Sequence, residues 1–434
     1  MKQTKMTKKF WIALTLFSLI GQVAWVVENM YFNIFIYKMF HATAEEISMM
    51  VSASAVSATV TTILVGALSD KIGKRKVFIC SGYILWGISI FCFSLIRMDI
   101  IESLFPTTMF TAASIGVILV IVMDVVMTFF GSAANDACFN AWLTDVTDDT
   151  NRGKAEGINS MMPLIAILVV FGGFMSFDLN QAESWTTIYT IIGIVVFLIG
   201  IAAIFLVQDV PIDTSENQSY FKNLFYGYRP SIIKENSLFY IILAAYATFC
   251  IAIQIYMPYL ILYYNVSLKL DNYVLIMAPA VIVAAIVTAL YGKVYDNKGF
   301  KKAIIPAIST LMIGFILLYL FKNTAIVFVG SLFMMSGYLM GMAVFGAMLR
   351  DYTPQNRAGS FQGLRIVGQV LIPGIIGPFI GAAVLKNAAT VLNDDGTSSF
   401  IPNENIFLAA LIASCFIWLI LAVIFKKTKT DKGE

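Results

Sequence analysis

Long apolar stretches, separated by short segments rich in charged residues, glycine or proline, run along the whole chain. A helix needs about 20 mostly apolar residues to cross the hydrocarbon core of a bilayer. Twelve stretches are predicted to do so, and we number them as spans 1 to 12: 10–37, 47–68, 77–96, 116–142, 158–177, 185–207, 238–264, 273–291, 303–321, 324–349, 359–385 and 405–425. The segment 97–117 is longer than a turn and is predicted to hold a short extra helix. The pattern therefore predicts an all-α integral membrane protein with twelve transmembrane helices.

Composition agrees with this pattern and excludes other classes. Apolar residues make up 59% of the 434 residues and charged residues 13%, whereas soluble chains average about 45–50% and about 25%. A soluble enzyme or binding module is thereby excluded, and no nucleic-acid partner is expected. The five cysteines lie in apolar runs without a CxxC motif, and His41 is the single histidine. We expect no metal, no cofactor and no enzymatic activity, because no nucleophile–base pair or nucleotide-binding loop is present.

Basic residues divide unequally between the two sets of loops. With the N-terminus placed inside, 23 of the 29 Lys and Arg residues fall on the inside, five fall outside, and Arg365 lies within span 11. Cytoplasmic loops carry an excess of Lys and Arg. We therefore expect both termini in the cytoplasm, and a multi-pass protein of the plasma (cell inner) membrane.

A repeated loop indicates that the chain consists of two similar halves. The longest inside loop, 208–237, separates an N-terminal six-helix bundle, 1–207, from a C-terminal six-helix bundle, 238–434. The loops after spans 2 and 8 match at a constant offset of 226 residues, which aligns Gly66, Asp70, Gly73 and Lys76 with Gly292, Asp296, Gly299 and Lys302. Duplicated bundles are typical of secondary transporters, which bind substrate between the two halves and rock around it.

These loops are also candidate cytoplasmic gates. Glycine permits a close helix approach at Gly66 and a tight turn at Gly73. Asp70 is suited to a breakable electrostatic contact with a basic side chain or a helix N-terminus, and Arg75 can reach acids such as Asp145. The full set of gate candidates is Gly66, Asp70, Gly73, Arg75, Arg152, Gly292, Asp296, Gly299 and Arg357.

Four ionisable residues lie inside predicted spans, where a charge is costly and usually functional. Glu28 in span 1 and Asp136 in span 4 are candidate proton or cation sites, and Arg365 in span 11 is a candidate counter-charge. Asp124 is a third candidate acid, although its place nearer the predicted outer end favours simple solvation. Interhelical pairing alone remains the alternative for all four.

Polar and aromatic side chains near these charges are candidate substrate ligands. Gln22, Trp25, Asn29 and Asn33 recur at helical spacing around Glu28, and the tyrosines of span 7 recur in the same way. The substrate candidates are Trp25, Asn29, Asn33, Asn140, Gln254, Tyr256, Tyr259, Arg365 and Gln369. For Tyr263 and Tyr264, an interfacial aromatic belt is the favoured interpretation.

The twelve spans, the central loop and the repeated loop motif resemble the major facilitator superfamily over the whole chain. The region from Asn135 to Arg152, with its acid in span 4, is similar to the glycoside–pentoside–hexuronide:cation symporter (melibiose-permease-like) branch. This resemblance implies a major facilitator fold, a monomer, and Arg365 at a place where the branch often has lysine. The chain departs from the branch at the two span-2 acids of its sodium-coupled members, where Ala58 and Thr62 stand. Proton coupling is therefore favoured over sodium coupling.

Together these features predict a secondary active transporter that moves a small-molecule solute by alternating access. A sugar or glycoside is the favoured substrate, and symport with protons the favoured mode. An uncoupled sugar facilitator, and a transporter of amphiphiles, drugs or lysolipids with the same fold, remain open; the methionines of span 10 would suit a greasy pocket. A non-transporting membrane receptor is a less favoured alternative, because a receptor would not need four intramembrane charges.

Overall fold

The computed structural model describes residues 7–106, 111–148, 151–209, 226–270, 272–354, 358–393 and 397–430. Within these residues, twelve helices are long and apolar enough to cross a membrane. As spans 1 to 12 they are Lys8–Phe40, Ala44–Ile72, Arg75–Phe93, Ala112–Val146, Arg152–Phe174, Ala182–Leu206, Ser237–Ser267, Val274–Tyr291, Lys293–Leu320, Thr324–Asp351, Gly363–Leu385 and Asn405–Thr428. The prediction of twelve spans is confirmed, and the largest boundary error is the start of span 9.

A few short elements connect the spans. The helix Met98–Leu104 confirms the extra helix predicted between spans 3 and 4. A helical turn, Tyr226–Tyr228, and the helix Pro230–Glu235 precede span 7. Between spans 11 and 12, strands β1 (Thr390–Leu392) and β2 (Ser398–Phe400) form an antiparallel hairpin that the apolar pattern did not predict.

The helices group into two compact units. Unit 1 comprises Met1–Glu46 and Ala53–Tyr220, and unit 2 comprises Ile47–Ser52 and Phe221–Glu434. Within unit 1, span 3 packs on spans 4 and 6, and span 1 packs on spans 5 and 6. Within unit 2, span 10 packs on span 9, and span 7 packs on spans 10, 11 and 12.

Small residues bring several helices into backbone contact. A Cβ added at Gly87 in span 3 would lie 2.4 Å from the backbone nitrogen of Phe197 in span 6. In unit 2, a Cβ at Gly337 in span 10 would lie 2.3 Å from the backbone nitrogen of Leu311 in span 9. Both pairs show the small-residue packing that is common between helices in membranes, where burial of apolar surface does not drive association.

The duplicated loops share one backbone feature. Gly73 ends span 2 with φ +70°, and Gly299 bends the chain after span 8 with φ +74°. They are the only two glycines with positive φ in the part of the chain that the structure describes. Only glycine adopts this conformation without a steric penalty, so the match at an offset of 226 residues supports a common origin of the two loops.

Four spans contain a short π-helical segment, in which an extra residue enters the turn. The segments are Val27–Tyr31 in span 1, Ser132–Phe139 in span 4, Tyr263–Ser267 in span 7 and Val367–Leu371 in span 11. Such segments are rare and occur frequently at functional sites. Glu28, Asp136 and Gln369 each lie within one of them.

Candidate functional site

The Glu28 carboxyl group lies at the centre of a buried polar cluster in unit 1. Its side chain is 8% exposed. Ser54 of span 2 and Thr128 of span 4 donate hydrogen bonds to Glu28 Oε1 at 2.7 and 2.8 Å, and the two hydroxyl oxygens are 2.6 Å apart. Glu28 Oε2 has no hydrogen-bond partner in the described residues. Of the two carboxyl oxygens, Oε1 therefore accepts hydrogen bonds from two hydroxyls, whereas Oε2 accepts none from the described residues.

Asp124 belongs to the same cluster. Its side chain is 2% exposed, so the interpretation of Asp124 as a solvated residue near a helix end is wrong. The Ser54 hydroxyl also contacts the Asp124 carboxyl group, which lies close enough to Glu28 for the two charges to interact. Asp124 Oδ1 has no partner among the described residues. Ser54 thus contacts two buried acids. We call these four residues, Glu28, Ser54, Asp124 and Thr128, the Glu28–Asp124 cluster.

The depth of the cluster follows from its position along each span. Glu28 precedes the end of span 1 by 12 residues, and Asp124 follows the start of span 4 by 12 residues. These two ends lie on the same side, because consecutive spans alternate in direction. At 1.5 Å per residue both acids lie about 18 Å from that side. A hydrocarbon core is about 30 Å thick, so the cluster lies near the middle of the helices.

Asp136 lies deeper along span 4, toward its other end. Ser132 donates a hydrogen bond to Asp136 Oδ2 at 3.1 Å. The indole N–H of Trp25 is beside the Asp136 carboxyl group but does not complete a hydrogen bond with it. Asp136 is only half-buried, and this acid is therefore more accessible than Glu28 or Asp124.

The polar stripe predicted along span 1 does not form one face. Trp25 is half-buried, Asn29 is exposed, and Glu28 and Asn33 are buried. The π-helical segment adds a residue to the turn and so rotates the positions that follow it. Asn29 donates to the backbone oxygen of Trp25 at 2.7 Å, and Asn33 donates to that of Asn29 at 3.0 Å. Trp25 and Asn29 remain accessible candidates, whereas Asn33 is turned into the bundle.

The remaining substrate candidates divide in the same way. Asn140 is exposed and donates to the backbone oxygen of Asp136 at 3.3 Å. Gln254 is half-buried, and its Cβ would be 2.4 Å from a Cβ added at Gly377 in span 11. Tyr256 is fully buried and contacts the rings of Phe315 and Phe407. Gln254 and Tyr256 therefore contribute to helix packing in unit 2.

The other tyrosines of span 7 are also interior. Tyr259 is fully buried and donates to the backbone oxygen of Pro378 at 3.4 Å. Tyr263 and Tyr264 are fully buried as well, and the Tyr264 hydroxyl lies 2.7 Å from that of Ser331. An interfacial aromatic belt would leave these rings at the surface, so that interpretation is wrong for both.

Arg365 lies among uncharged groups of unit 2. Its Nε donates to Gln369 Oε1 at 3.2 Å, and its guanidinium group contacts the hydroxyl of Tyr246. Nη2 lies 3.7 Å from the place where a Cβ at Gly346 would be. No carboxylate in the described part of the chain forms an ion pair with Arg365.

The predicted contact at the end of span 2 is present in unit 1. Arg75 is 5% exposed and binds Asp70, Asp145 and the hydroxyl of Ser69. The distance from Arg75 Nε to Asp145 Oδ2 is 3.0 Å. One guanidinium group thus ties the beginning of span 3 to the ends of spans 2 and 4.

The other gate candidates lie in different settings. Arg152 donates to the backbone oxygens of Thr144 and Thr147, so it caps the last carbonyls of span 4. Asp296 is exposed, and Gly292 lies in the helical segment before it. A Cβ at Gly66 would meet Ala137 only at 4.0 Å, so the close approach expected there is not found. Arg357 lies outside the described residues.

Three members of the site were missed at the level of sequence. They are Ser54, Thr128 and Tyr189, whose hydroxyl lies near Asp124 without a hydrogen-bond partner in the described residues. Single hydroxyls in apolar spans are common and carry no distinctive spacing. The available indication was that Thr128 follows Asp124 by one helical turn.

Comparison with known families decides the family. The model of the Major Facilitator Superfamily matches residues 11–378. The chain belongs to the Major Facilitator Superfamily. This confirms the superfamily predicted from the loop motifs and supports a non-enzymatic transporter in a lipid bilayer. No protein with a curated function is similar enough in sequence to count as a relative.

Solved structures confirm the major facilitator fold. A variant of the nucleoside transporter NupG has a TM-score of 0.72 at 12% identity, with 95% of this chain and 99% of that chain covered. A bacterial homologue of the human lysosomal transporter Spinster, in an inward-facing conformation, has a TM-score of 0.69 at 15% identity and 98% coverage of both chains. The xylose transporter XylE from E. coli has a TM-score of 0.68 at 14% identity, covering 95% and 98%. At these identities the likeness concerns the fold of this superfamily member.

Proposed function

We propose that this major facilitator protein is a proton-coupled symporter of a small polar solute, with a sugar or glycoside as the favoured substrate. The observation that carries the proposal is the Glu28–Asp124 cluster. Two acids share a buried environment, Ser54 and Thr128 donate to Glu28, Ser54 also contacts Asp124, and no Lys or Arg of the described residues pairs with either acid. A proton is the simplest group that neutralises such a site.

The physical reason is the cost of burying charge. A carboxylate removed from water without a paired cation is strongly destabilised, so it binds a proton instead. Two acids at one site increase this tendency, because they repel each other when both are ionised. A change in solvent access during transport would therefore change the number of protons held by the cluster. Intramembrane carboxyl groups serve as proton relays on this principle.

A sodium ion is the competing coupling cation, because it also binds carboxylate and hydroxyl oxygens. The melibiose-permease-like branch uses two acids in span 2, where this chain has Ala58 and Thr62. The acids here come from spans 1 and 4, with Ser54 as the contribution of span 2. A single buried hydroxyl is a poor replacement for two carboxylate ligands of a sodium ion. It is better suited to a pair of acids that binds a proton.

Accessible polar side chains support a hydroxyl-rich substrate. In unit 1, Trp25, Asn29 and Asn140 offer an aromatic face and amide hydrogen-bonding groups. In unit 2, Gln369 offers an amide and Arg365 a guanidinium group. Two transporters with this fold, the nucleoside transporter NupG and the xylose transporter XylE, have solutes with this chemistry. For the alternative of an amphiphile, Met334, Met335 and Met340 of span 10 are buried in helix packing, and Met342 is half-buried.

The other parts of the proposal concern the whole transporter. The bundles 1–207 and 238–434 would alternate access to the substrate about the loop 208–237. The Arg75 contacts would be broken and remade at the cytoplasmic side. We place both termini in the cytoplasm, the protein in the plasma membrane, and the working unit as a monomer.

Solute-driven proton uptake in proteoliposomes tests the proposal. We expect a screen of mono- and disaccharides to find a sugar that drives proton uptake, reported by an internal pH dye. Glu28→Gln should lose proton uptake but retain sugar exchange, and Asp124→Asn should weaken uptake. Asp99→Asn, which changes an exposed acid in the helix Met98–Leu104, is the matched control and should behave as wild type.

Each other result has a definite meaning. Sugar exchange without proton movement in the wild type would make the protein a facilitator and overturn the coupling. Proton uptake that survives Glu28→Gln and Asp124→Asn would remove the cluster from the mechanism. No response to any sugar by correctly folded protein would sink the sugar assignment.

A further inference from the structure

Arg365 has no acidic partner among the described residues of unit 2. The described acids of unit 2 are Glu235, Asp296, Asp351 and Glu404. All four lie at helix ends or in loops, where Asp351 accepts from Tyr295 and Glu404 pairs with Lys322. Arg365 instead lies two turns into its helix, which begins at Ala358. It is thus a cation two residues inside span 11, which begins at Gly363, and no acid of the described residues pairs with it.

The surroundings of the guanidinium group confirm its depth. Arg365 contacts Tyr246, which follows the start of span 7 by nine residues, or about 13 Å of helix. Cys250 lies one turn further along span 7 and is close enough to be affected by the Arg365 charge. Tyr246 itself donates to Met342 Sδ at 3.5 Å and stacks on Phe345. The described groups near Arg365 are therefore a phenol, a thiol and an amide, and the phenol is packed against a thioether and an aromatic ring.

The guanidinium group has donors left over. It carries five N–H groups, and Gln369 accepts one of them at Nε. The terminal nitrogens face Gly346, which has no side chain to fill the space in front of them. Arg365 is half-buried, and the Tyr246 hydroxyl and Gln369 together occupy only part of its donor capacity. The planar guanidinium group is a fork of donors that matches a carboxylate or a phosphate group.

We propose that Arg365, with Gln369 and Tyr246, binds an anionic group of the transported solute. The substrate would then be a polar solute that carries a carboxylate or a phosphate, and Arg365 would supply its counter-charge. An arginine inside a membrane normally pairs with an acid or marks a substrate pathway. Because no described residue of the chain forms that pair, the solute is the remaining source of negative charge. This inference rests on the proposed transport function and narrows its substrate class.

Matched probes that differ only in charge test the inference. We would measure binding to the purified full-length protein by calorimetry for methyl β-D-glucoside against methyl β-D-glucuronide, and for glucose against glucose 6-phosphate. We expect one acidic probe to bind at least about tenfold more tightly than its neutral partner, roughly the strength of one charge-assisted hydrogen bond. Preference for the glucuronide or for the phosphate tells which anionic group is read.

Variants assign the preference to Arg365. Arg365→Gln should abolish the preference for the acid while leaving weak binding of the neutral probe, and Arg365→Lys should keep part of it. Arg350→Gln is the matched control, because Arg350 is an exposed cation in the last turn of span 10. Equal binding within both pairs, no binding of either acid, or a preference that survives Arg365→Gln overturns the inference.

The same measurements separate this inference from the proposed function. Proton uptake driven by a neutral sugar, with both acidic probes inert, would leave the symporter standing and overturn the anion site. A preference for an acid that depends on Arg365, without any proton movement, would support the anion site and overturn only the coupling.

Discussion

At the residue scale, the buried charges of this transporter differ in how each is compensated. Glu28 accepts from two hydroxyls beside Asp124, Arg75 has two carboxylates, and Arg365 has neutral neighbours. A buried charge without a partner is expensive, whereas a paired one is expensive only when the pair is broken. The paired Arg75 therefore contributes to the stability of the conformation in which its contacts are made, and the others are candidates for binding a proton or a solute.

Two arginines provide a matched test of this difference. Arg75→Gln should lower the free energy of unfolding by roughly 2–3 kcal/mol, somewhat below the loss for breaking a fully buried pair, because Asp70 and Asp145 are partly exposed. Arg97→Gln removes contacts to the exposed acids Asp99 and Glu183 and should cost under about 1 kcal/mol. Thermal denaturation in one detergent compares the two variants. Equal losses would show that the Arg75 contacts contribute no more than a surface pair.

At the scale of elements, close helix contacts and π-helical segments set the positions of the side chains. Gly87 brings span 3 against the backbone of span 6, and Gly82 brings it against Ala134 of span 4. The π-helical segments then decide which side chains of spans 1 and 4 face inward. The capping box of Thr43 and Glu46 fixes the start of span 2, ten residues before Ser54. The site therefore depends on local backbone irregularities within otherwise regular helices.

A glycine pair tests the packing of spans 3 and 6. Gly87→Ala should destabilise the protein by about 1–3 kcal/mol, because the new Cβ would lie 2.4 Å from a backbone atom that cannot move easily. Gly172→Ala in span 5 is the control, since nothing lies within 4 Å of its Cβ position. That control should be neutral or stabilising by up to about 1 kcal/mol through helix propensity. A melting temperature unchanged by Gly87→Ala would contradict the close contact.

At the scale of the whole molecule, the two matching loops have the same backbone conformation but differ in the contacts of their acidic residues. Gly73 and Gly299 keep the same left-handed turn. Asp70, after span 2, is bound by Arg75, whereas its counterpart Asp296 is exposed. Of the ionisable residues within the spans, the buried acids Glu28 and Asp124 lie in unit 1, and the half-buried Arg365 lies in unit 2. Each unit has therefore acquired a distinct charge, as expected where one binds protons and the other an anionic solute.

The orientation of the molecule in the membrane is a prediction from the distribution of basic residues. In a variant without the native cysteines, Lys322→Cys should react with an impermeant maleimide in intact cells. Lys74→Cys should react only after the cells are opened. Both positions are exposed in the structure, so access depends on the side of the membrane alone. The reverse labelling pattern would place the termini outside.

The amino-acid sequence by itself determined the large features of this protein. Span number follows from the length of apolar runs, because a bilayer requires about 20 such residues. The superfamily follows from loop motifs whose turns need glycine, as at Gly73 and Gly299. Charged residues inside an apolar run are rare, so the sequence identifies candidate functional residues at Glu28, Asp136 and Arg365. These are local properties that can be read along the chain.

Tertiary structure alone decided how those charges are used. Ser54 and Asp124 are 70 residues apart in the chain, so their meeting depends on how the spans pack. The π-helical segment of span 1 turned Asn33 inward and left Asn29 exposed, which a regular helical period does not predict. Span 7 likewise placed Tyr256 in the interior. Which face of an apolar helix is buried depends on its neighbours, since nearly every face of such a helix is apolar.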